Sequence, residues 1–564
     1  VNLPAGAVWA PHVRSVDLVA DGERVALERD ERGIWGLERD GLAPGTTYWF
    51  CLDGGDERLA DPRSRWQPEG PEGPSRVDDP GAFEWDDDAF EPEPWSRAVL
   101  YELHVGTFSP AGTFLGAIDH LDHLVELGVT HVELMPIGAW VGRWGWGYDG
   151  VCWWAPHAPY GTPDELRQLV AACHRRGLAV ALDVVFNHLG PVGAQLDRFG
   201  PYTVDAPTPW GRAVNLDGPD SGPVRDHIVE CGLMWLRDHH VDGLRLDAVH
   251  ALADSSPRHL VAELTAAVDD LSVDIGRDLV VVAEWDRHDP RPVRDRRDGG
   301  WGCRAHWADD LHHALHVTLT GESAGYYADA AASPDPVREA LERVYVPRRA
   351  TGDPAAELSA DGISRSAFVV CLQNHDQVGN RAAGERIAQI APAGAALAAA
   401  AVTLLGPAVP LIFQGEEWAA SSPFPYFAQH DGDLAAAVAE GRRAEFPDLP
   451  WEDVADPGAT ETFESATLRW DERDAAAHRE AHRWYRTLLQ LRAEHGALSA
   501  GAPCEVSRRG GATGALVLER GPFQIAVNLS PERVVVAARG AVAASWGTVD
   551  EAGLGPWAAR ICRS

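Results

Sequence analysis

The stretch Gly243-Leu244-Arg245-Leu246-Asp247-Ala248-Val249-His250 decides how the rest of the chain is read. Apolar Leu244 and Leu246 alternate with charged Arg245 and Asp247, the period of two that a strand requires, and a helix-like run (227–240) leads into them. Such a strand sends a guanidinium and a carboxylate out together from its carboxyl end. In a barrel of parallel strands, that end carries the reacting groups. Taken alone, the octapeptide also fits a structural Arg–Asp pair capping a strand, so its surroundings have to decide.

Outward from it, strand-like and helix-like runs alternate. The strand-like runs are 99–105, 129–135, 178–186, 279–283, 367–372 and 409–413, and helical spacing is present at 114–127, 163–174 and 257–271. Repeated alternation of this kind calls for a parallel sheet. With the opening stretch the runs approach eight strands, so a closed (β/α)8 TIM barrel is the expected α/β fold. An open doubly wound sheet is the alternative, weakened because no Gly-rich phosphate turn follows the first strand.

Before the barrel, short β-type runs (7–10, 15–19, 47–50) separated by Gly, Asp and Pro read as a β-sandwich over residues 1–90. Residues 61–96, loaded with Pro, Asp, Glu and Gly, read as an extended linker with little structure of its own. The catalytic barrel with its linker and insertions is expected over 91–498. A small antiparallel β domain is expected over 499–564, on the short runs 515–518, 524–529 and 533–537.

Composition narrows the function. A net charge of -36 over 564 residues argues against nucleic acid and anionic membranes as partners. Eight cysteines without metal-ligand spacing suit free thiols in a cytoplasmic protein, and the start Val1-Asn2-Leu3-Pro4 has no signal-peptide character. The uncharged part of the run 387–415 is rich in alanine and interrupted by Pro392, Pro407 and Pro410, so it reads as a buried helix and strand, not a membrane span. All 49 basic residues are arginine, which excludes Schiff-base lysines and the P-loop lysine. Asparagine is almost as scarce, and three of the six fall at Asn187, Asn374 and Asn380, inside the stretches discussed next.

Four strand ends carry polar groups: Asp183-Val184-Val185-Phe186-Asn187-His188, the opening stretch, Ala283-Glu284-Trp285-Asp286, and Gln373-Asn374-His375-Asp376-Gln377. Each closes an apolar run, so all four belong at one rim of a barrel. In this order they resemble the four sequence regions of the α-amylase family of glycoside hydrolases and transglycosylases. The resemblance covers roughly residues 97–500, and the N-terminal module resembles the one preceding the barrel in branching and debranching members.

The resemblance implies a nucleophile at Asp247 oriented by Arg245, a general acid/base at Glu284, and a third carboxylate at Asp376 favouring the distorted transition state. It implies that His188 and His375 bind the sugar at the cleaved position, that Tyr148 stacks on it, and that Asp183 supports the site from just outside. Retention through a covalent glycosyl-enzyme needs two carboxyl groups about 5–5.5 Å apart, one ionised and one protonated. His250 belongs to the same rim.

Four further stretches (102–108, 307–316, 372–381 and 413–418) resemble the branch of the family that acts on maltooligosyltrehalose, an α-1,4-glucan oligosaccharide ending in trehalose. Gln377 stands where branching enzymes usually have Glu, and Trp285 departs from the small polar residue typical of this branch. Asp309, Asp310, Glu416 and Glu417 are nominated for the wall that reads the trehalose unit, and Trp285 and Gln377 as further substrate-binding residues. Their plainer reading is as solvated or helix-capping acids. Trp144, Trp146, Trp285 and Trp301 lie near predicted rim loops. The resemblance also implies a companion maltooligosyltrehalose synthase. No cofactor is expected, and no metal, because the loop 189–220 shows no obvious set of oxygen ligands. A branching or debranching enzyme is the alternative within the family, and a catalytically silent glucan-binding protein is the alternative outside enzymes.

Overall fold

A computed structural model of the chain describes residues 3–37, 41–208, 210–350, 359–430, 432–445, 454–511 and 514–564. The first two residues of the Val1-Asn2-Leu3-Pro4 start lie outside them. Eight strands close a parallel barrel: β1 (Leu100–Leu103), β2 (His131–Leu134), β3 (Ala179–Val184), β4 (Gly243–Leu246), β5 (Val280–Ala283), β6 (Ala305–Trp307), β7 (Phe368–Cys371) and β8 (Val409–Phe413), with β8 pairing back onto β1. Seven of the eight are the strand-like runs of the sequence. The eighth, β6, is three residues of Ala-His-Trp, too short to show a period.

The alternation of β4 sorts its side chains as expected. Leu244 and Leu246 join the core between barrel and helices, together with Tyr101, Leu103, Val132 and Leu182. The lower lumen is filled by Leu100, Val280, Val282, Val369, Val409 and Leu411. Arg245 faces the lumen too, in register with Asp183 on β3. Glu102 and Glu133 are likewise paired in register on β1 and β2. β4 can lie this close to β5 because residue 243 is glycine: a Cβ there would meet Val280 Cγ2 at 2.5 Å.

The helices carry ordinary sequence signals. Pro163–His174 starts at Thr162 with a reciprocal capping box to Glu165. The alanine-rich run forms the helix Ala395–Leu405, nearly all buried, followed by β8. Among the described residues no helix is long and apolar enough to cross a membrane.

Antiparallel sheets flank the barrel. The N-terminal ones have three and four strands, and the C-terminal one has five (Glu505–Arg509, Ala515–Arg520, Phe523–Asn528, Ala558–Arg563, Ala541–Trp546). Two buried guanidiniums meet at the end of the helix Ala395–Leu405, and one of them, Arg520, ties that last sheet to the barrel. Arg520 Nη1 donates to the carbonyls of Leu405, Gly406 and Leu498 at 2.9, 2.8 and 3.1 Å. Arg492, on the helix Ala476–Glu494, donates to Leu404 and Ala408 carbonyls at 2.9 and 3.0 Å. Both therefore cap the carboxyl end of Ala395–Leu405, where cations are favoured. Among the described residues neither pairs with a carboxylate, and burial lowers their pKa values to about 10 and about 9.

The linker differs from expectation. It has little regular structure, but Asp61, Ser64, Gln67, Asp87 and Trp95 are buried. Asp87 accepts from His174 (2.7 Å) and His240 (2.8 Å), and His174 also bonds Asp242 just before β4. Acids that look like linker solvation in the sequence are anchors against the amino-terminal end of the barrel.

Candidate active site

The carboxyl ends of β3, β4, β5 and β7 and the loop after β2 bring the sugar-cleaving candidates to one rim. Arg245 is the hub. Its Nη1 donates to Asp183 Oδ2 at 2.6 Å and Asp247 Oδ1 at 2.9 Å, and its Nη2 lies 3.0 Å from Glu284 Oε2. The guanidinium sits over the Trp307 ring at 4.2 Å. Just beyond Asp247, Ala248 is in the left-handed region (φ 38°), strained backbone of the kind found at functional sites. That turn aims the Ala248 N–H at Glu284 Oε2, 2.7 Å away. Glu284 Oε2 thus accepts the Ala248 N–H and faces the Arg245 guanidinium, while Oε1 makes no protein hydrogen bond among the described residues.

The scarce asparagines serve the acids. Asn187 Nδ2 donates to Asp247 Oδ2 at 2.7 Å and bonds His188 through its Oδ1. Asn374 caps the short helix His375–Gly379, accepting from the Asp376 N–H at 2.9 Å, and Asn380 Nδ2 donates to Asp376 Oδ1 at 3.0 Å. Tyr148 reaches the site because Gly147 (φ 102°) turns the chain where a Cβ would meet the Pro136 carbonyl at 2.2 Å. Its hydroxyl donates to Asp183 Oδ2 at 2.7 Å and lies 2.9 Å from His375 Nε2. Burial, opposed by Arg245 and assisted by Asp247, pushes the Asp183 carboxyl up to about 7.

The nominated outer wall divides. A cavity of about 280 Å³ adjoins the Glu284 side, lined by Trp285, His288, Trp307, Asp309, Asp310 and His313 among others. Burial and the charges of Glu284, Asp376 and Asp310 push the Asp309 carboxyl up to about 7. Asp310 bonds His288 and the Val346 N–H, and those bonds outweigh burial and hold its carboxyl below the usual range. Gln377 accepts from the Asn374 N–H and donates from Nε2 to Asp309 Oδ1 at 3.3 Å. A Glu at 377 would have no proton to offer there, which gives the Gln-for-Glu difference a physical meaning.

Glu416 and Glu417 are not brought to this wall. Glu417 is enclosed behind β8 with Tyr101 and His123, and Glu416 with Tyr485 on the helix Ala476–Glu494. Their acidity in sequence marked a buried polar cluster between barrel and helices. His250 stays at the rim, its Nδ1 3.6 Å from Asp286.

Trp144, Trp146, Trp285 and Trp301 are buried, the first two in an aromatic cluster with Phe424 and Phe427. The exposed indole of the rim is Trp210 (43 % exposed), its ring 5.5 Å from that of His188 and 6.5 Å from that of His250. Sequence reasoning missed it, although an apolar Trp at the tip of a Pro- and Gly-flanked turn was a usable signal. His313, on a stretch already singled out, was missed as well. Among the described residues no group of three or more His, Cys, Asp or Glu side chains is arranged to hold a metal ion.

Barrel and rim together define a glycoside hydrolase of the α-amylase class, and residues 79–199 match the alpha amylase catalytic domain. Within that class, the chain belongs to the malto-oligosyltrehalose trehalohydrolase family. It is 44% identical to the Arthrobacter ramosus enzyme of that name, with 96% of each chain covered, and 41% identical to that of Mycobacterium tuberculosis at the same coverage. A solved alpha amylase structure from Salmonella typhimurium is 36% identical and superposes with a TM-score of 0.91, covering 99% of this chain and 97% of the other.

Proposed function

We propose that this chain hydrolyses the α-1,4 bond next to the terminal trehalose of maltooligosyltrehalose, releasing trehalose and a shortened maltooligosaccharide, with retention. The names of the near-full-length relatives support the substrate. The observation that carries the chemistry is the single guanidinium holding Asp247 and Glu284 on adjacent nitrogens. Carboxylates clamped this way are close, as the ~5–5.5 Å of a retaining pair requires.

Asp247 attacks the anomeric carbon. Its lone pairs are aligned by hydrogen bonds from Arg245 and Asn187. Glu284 protonates the leaving oxygen through Oε1 and then, as carboxylate, takes a proton from the incoming water. Asp376, fixed by Asn380 and the Asn374 cap, holds sugar hydroxyls. Tyr148, His188 and His375 line the cleaved position.

The leaving trehalose occupies the cavity beside Glu284, where Asp309, kept partly protonated at neutral pH, Asp310 and His313 supply polar contacts. Trp210 offers an apolar face on the rim beside His188 and His250. A plain maltose end leaves some of those groups unpaired, which penalises it. The trehalose-ended substrate requires a synthase that makes it. Eight free cysteines, six of them buried, suit a reducing cytoplasm.

The test is a product analysis with maltotriosyl-trehalose, maltopentaose and a branched glucan supplied separately. Rapid release of trehalose from the first alone is expected. Equal cleavage of the first two reduces the function to a general α-glucan hydrolase, and action on the third alone restores the branching or debranching alternative.

A further inference from the structure

Beneath the reacting groups runs a continuous polar chain that starts on β1. Glu102 is 1 % exposed. Its Oε1 lies 2.5 Å from the His375 ring Nδ1, and its Oε2 accepts the His375 backbone N–H at 2.9 Å. From His375 Nε2 it is 2.9 Å to the Tyr148 hydroxyl, 2.7 Å onward to Asp183 Oδ2, and 2.6 Å to Arg245 Nη1, which also holds Asp247. Proton counting sets the direction of these bonds. Arg245 only donates. Asp183 Oδ2 already accepts from Arg245 Nη1, and a proton on Asp183 would sit on its unpartnered Oδ1, so in either state the Tyr148 O–H donates to Oδ2 and the phenol oxygen accepts from His375 Nε2. With Glu102 as a carboxylate, its Oε1 accepts from Nδ1 and both ring nitrogens carry protons.

We infer that Glu102 is a positioning residue that holds His375 as an imidazolium, a second cationic centre beside the acids that Arg245 alone cannot balance; this rests on the glycosidase function proposed above. Other groups facing the ring contribute less than Glu102. Burial keeps His104 (pushed down to about 3) neutral, and it pushes the Glu133 carboxyl and the Tyr148 phenol well up, towards their uncharged forms. Asp376 and Asp183 add negative charge from β7 and β3, and Arg245 opposes it from β4. Burial alone would lower the His375 pKa, but the charge and hydrogen bond of Glu102 raise it to about 9.

Glu102→Gln is the discriminating variant. The amide oxygen still accepts the backbone N–H, and the amide NH2 now donates to Nδ1, so every contact survives with a neutral ring protonated on Nε2 alone. His375 ring nitrogens are followed by NMR across pH 6 to 10, and kcat and kcat/KM on maltotriosyl-trehalose across the same range.

In the unsubstituted protein, two ring protons should persist until about pH 9, where kcat/KM falls. In Glu102→Gln the second proton should be absent at neutral pH, with kcat down about tenfold or more and KM little changed. Glu102→Asp should restore the charged ring and the alkaline limb. A neutral His375 at pH 7 in the unsubstituted protein overturns the inference even if no variant folds. An identical pH profile in Glu102→Gln overturns it as well. The NMR result stands whatever the substrate, so a failure of the proposed function would appear separately, as an unsubstituted enzyme inert on the trehalose-ended chain.

Discussion

Asp247 owes its readiness to three neighbours: Arg245 at one oxygen, Asn187 at the other, and the strained Ala248 turn behind it. Asp247→Asn should therefore lower kcat by roughly 10³-fold or more while oligosaccharide binding stays measurable by calorimetry, because the loss is confined to the transition state. Unchanged turnover would remove Asp247 from the nucleophile's role. Gln377→Glu tests the opposite side of the site. It sets a carboxylate against Asp309, whose own carboxyl is already pushed up to about 7. Trehalose inhibition should weaken, and Tm should fall more at pH 8 than at pH 5, where Asp309 is protonated. His375 makes a further prediction for stability. Its folded pKa, about 9, stands above the ordinary 6.5, so its contribution is fully present below about pH 6.5 and lost as pH rises through 9. A thermal-melt series from pH 6 to 10 should show that decline, and histidine replaced by asparagine at 375 should flatten it.

At the scale of elements, β4 could be read from its alternation, and its neighbours from apolar runs of five to nine residues. β6 could not, because three residues carry no period and only closure of the barrel defines them. The same limit explains the site. Acids at strand ends announced themselves, whereas Glu102 sits inside a buried strand, one charged residue among Leu, Tyr and Leu, and the family-like stretch 102–108 that it opens gave it no role. Glu416 and Glu417 gave a false one, since acidity in sequence does not reveal which side of β8 a turn faces. Gly243 offers a check on the strand packing. Gly243→Ala drives a Cβ into Val280, and overpacking of this kind costs about 1–3 kcal/mol. Chemical denaturation should detect it, and a neutral result would mean that β4 and β5 separate more easily than their register suggests.

For the molecule as a whole, composition excluded classes better than it placed parts. The acidic balance argued against some partners and the absent lysine removed Schiff-base chemistry, yet a Pro- and Asp-rich segment that looked like a free linker turned out to be fastened through Asp87 to two histidines. Such fastening is invisible in sequence because the partners lie 87 and 153 residues away. The pair Arg492 and Arg520 carries the point further. Each wraps carbonyls at the end of a barrel helix, and one of them belongs to the C-terminal sheet, so neither part can open without leaving buried carbonyls bare at about 1–3 kcal/mol apiece. The barrel and that sheet should accordingly melt together in a single calorimetric transition, and Arg520→Met should lower it or split it in two. A chain cut after residue 498 would then expose an unfinished helix end, and proteolysis, not independent folding, would be the fate of the severed piece.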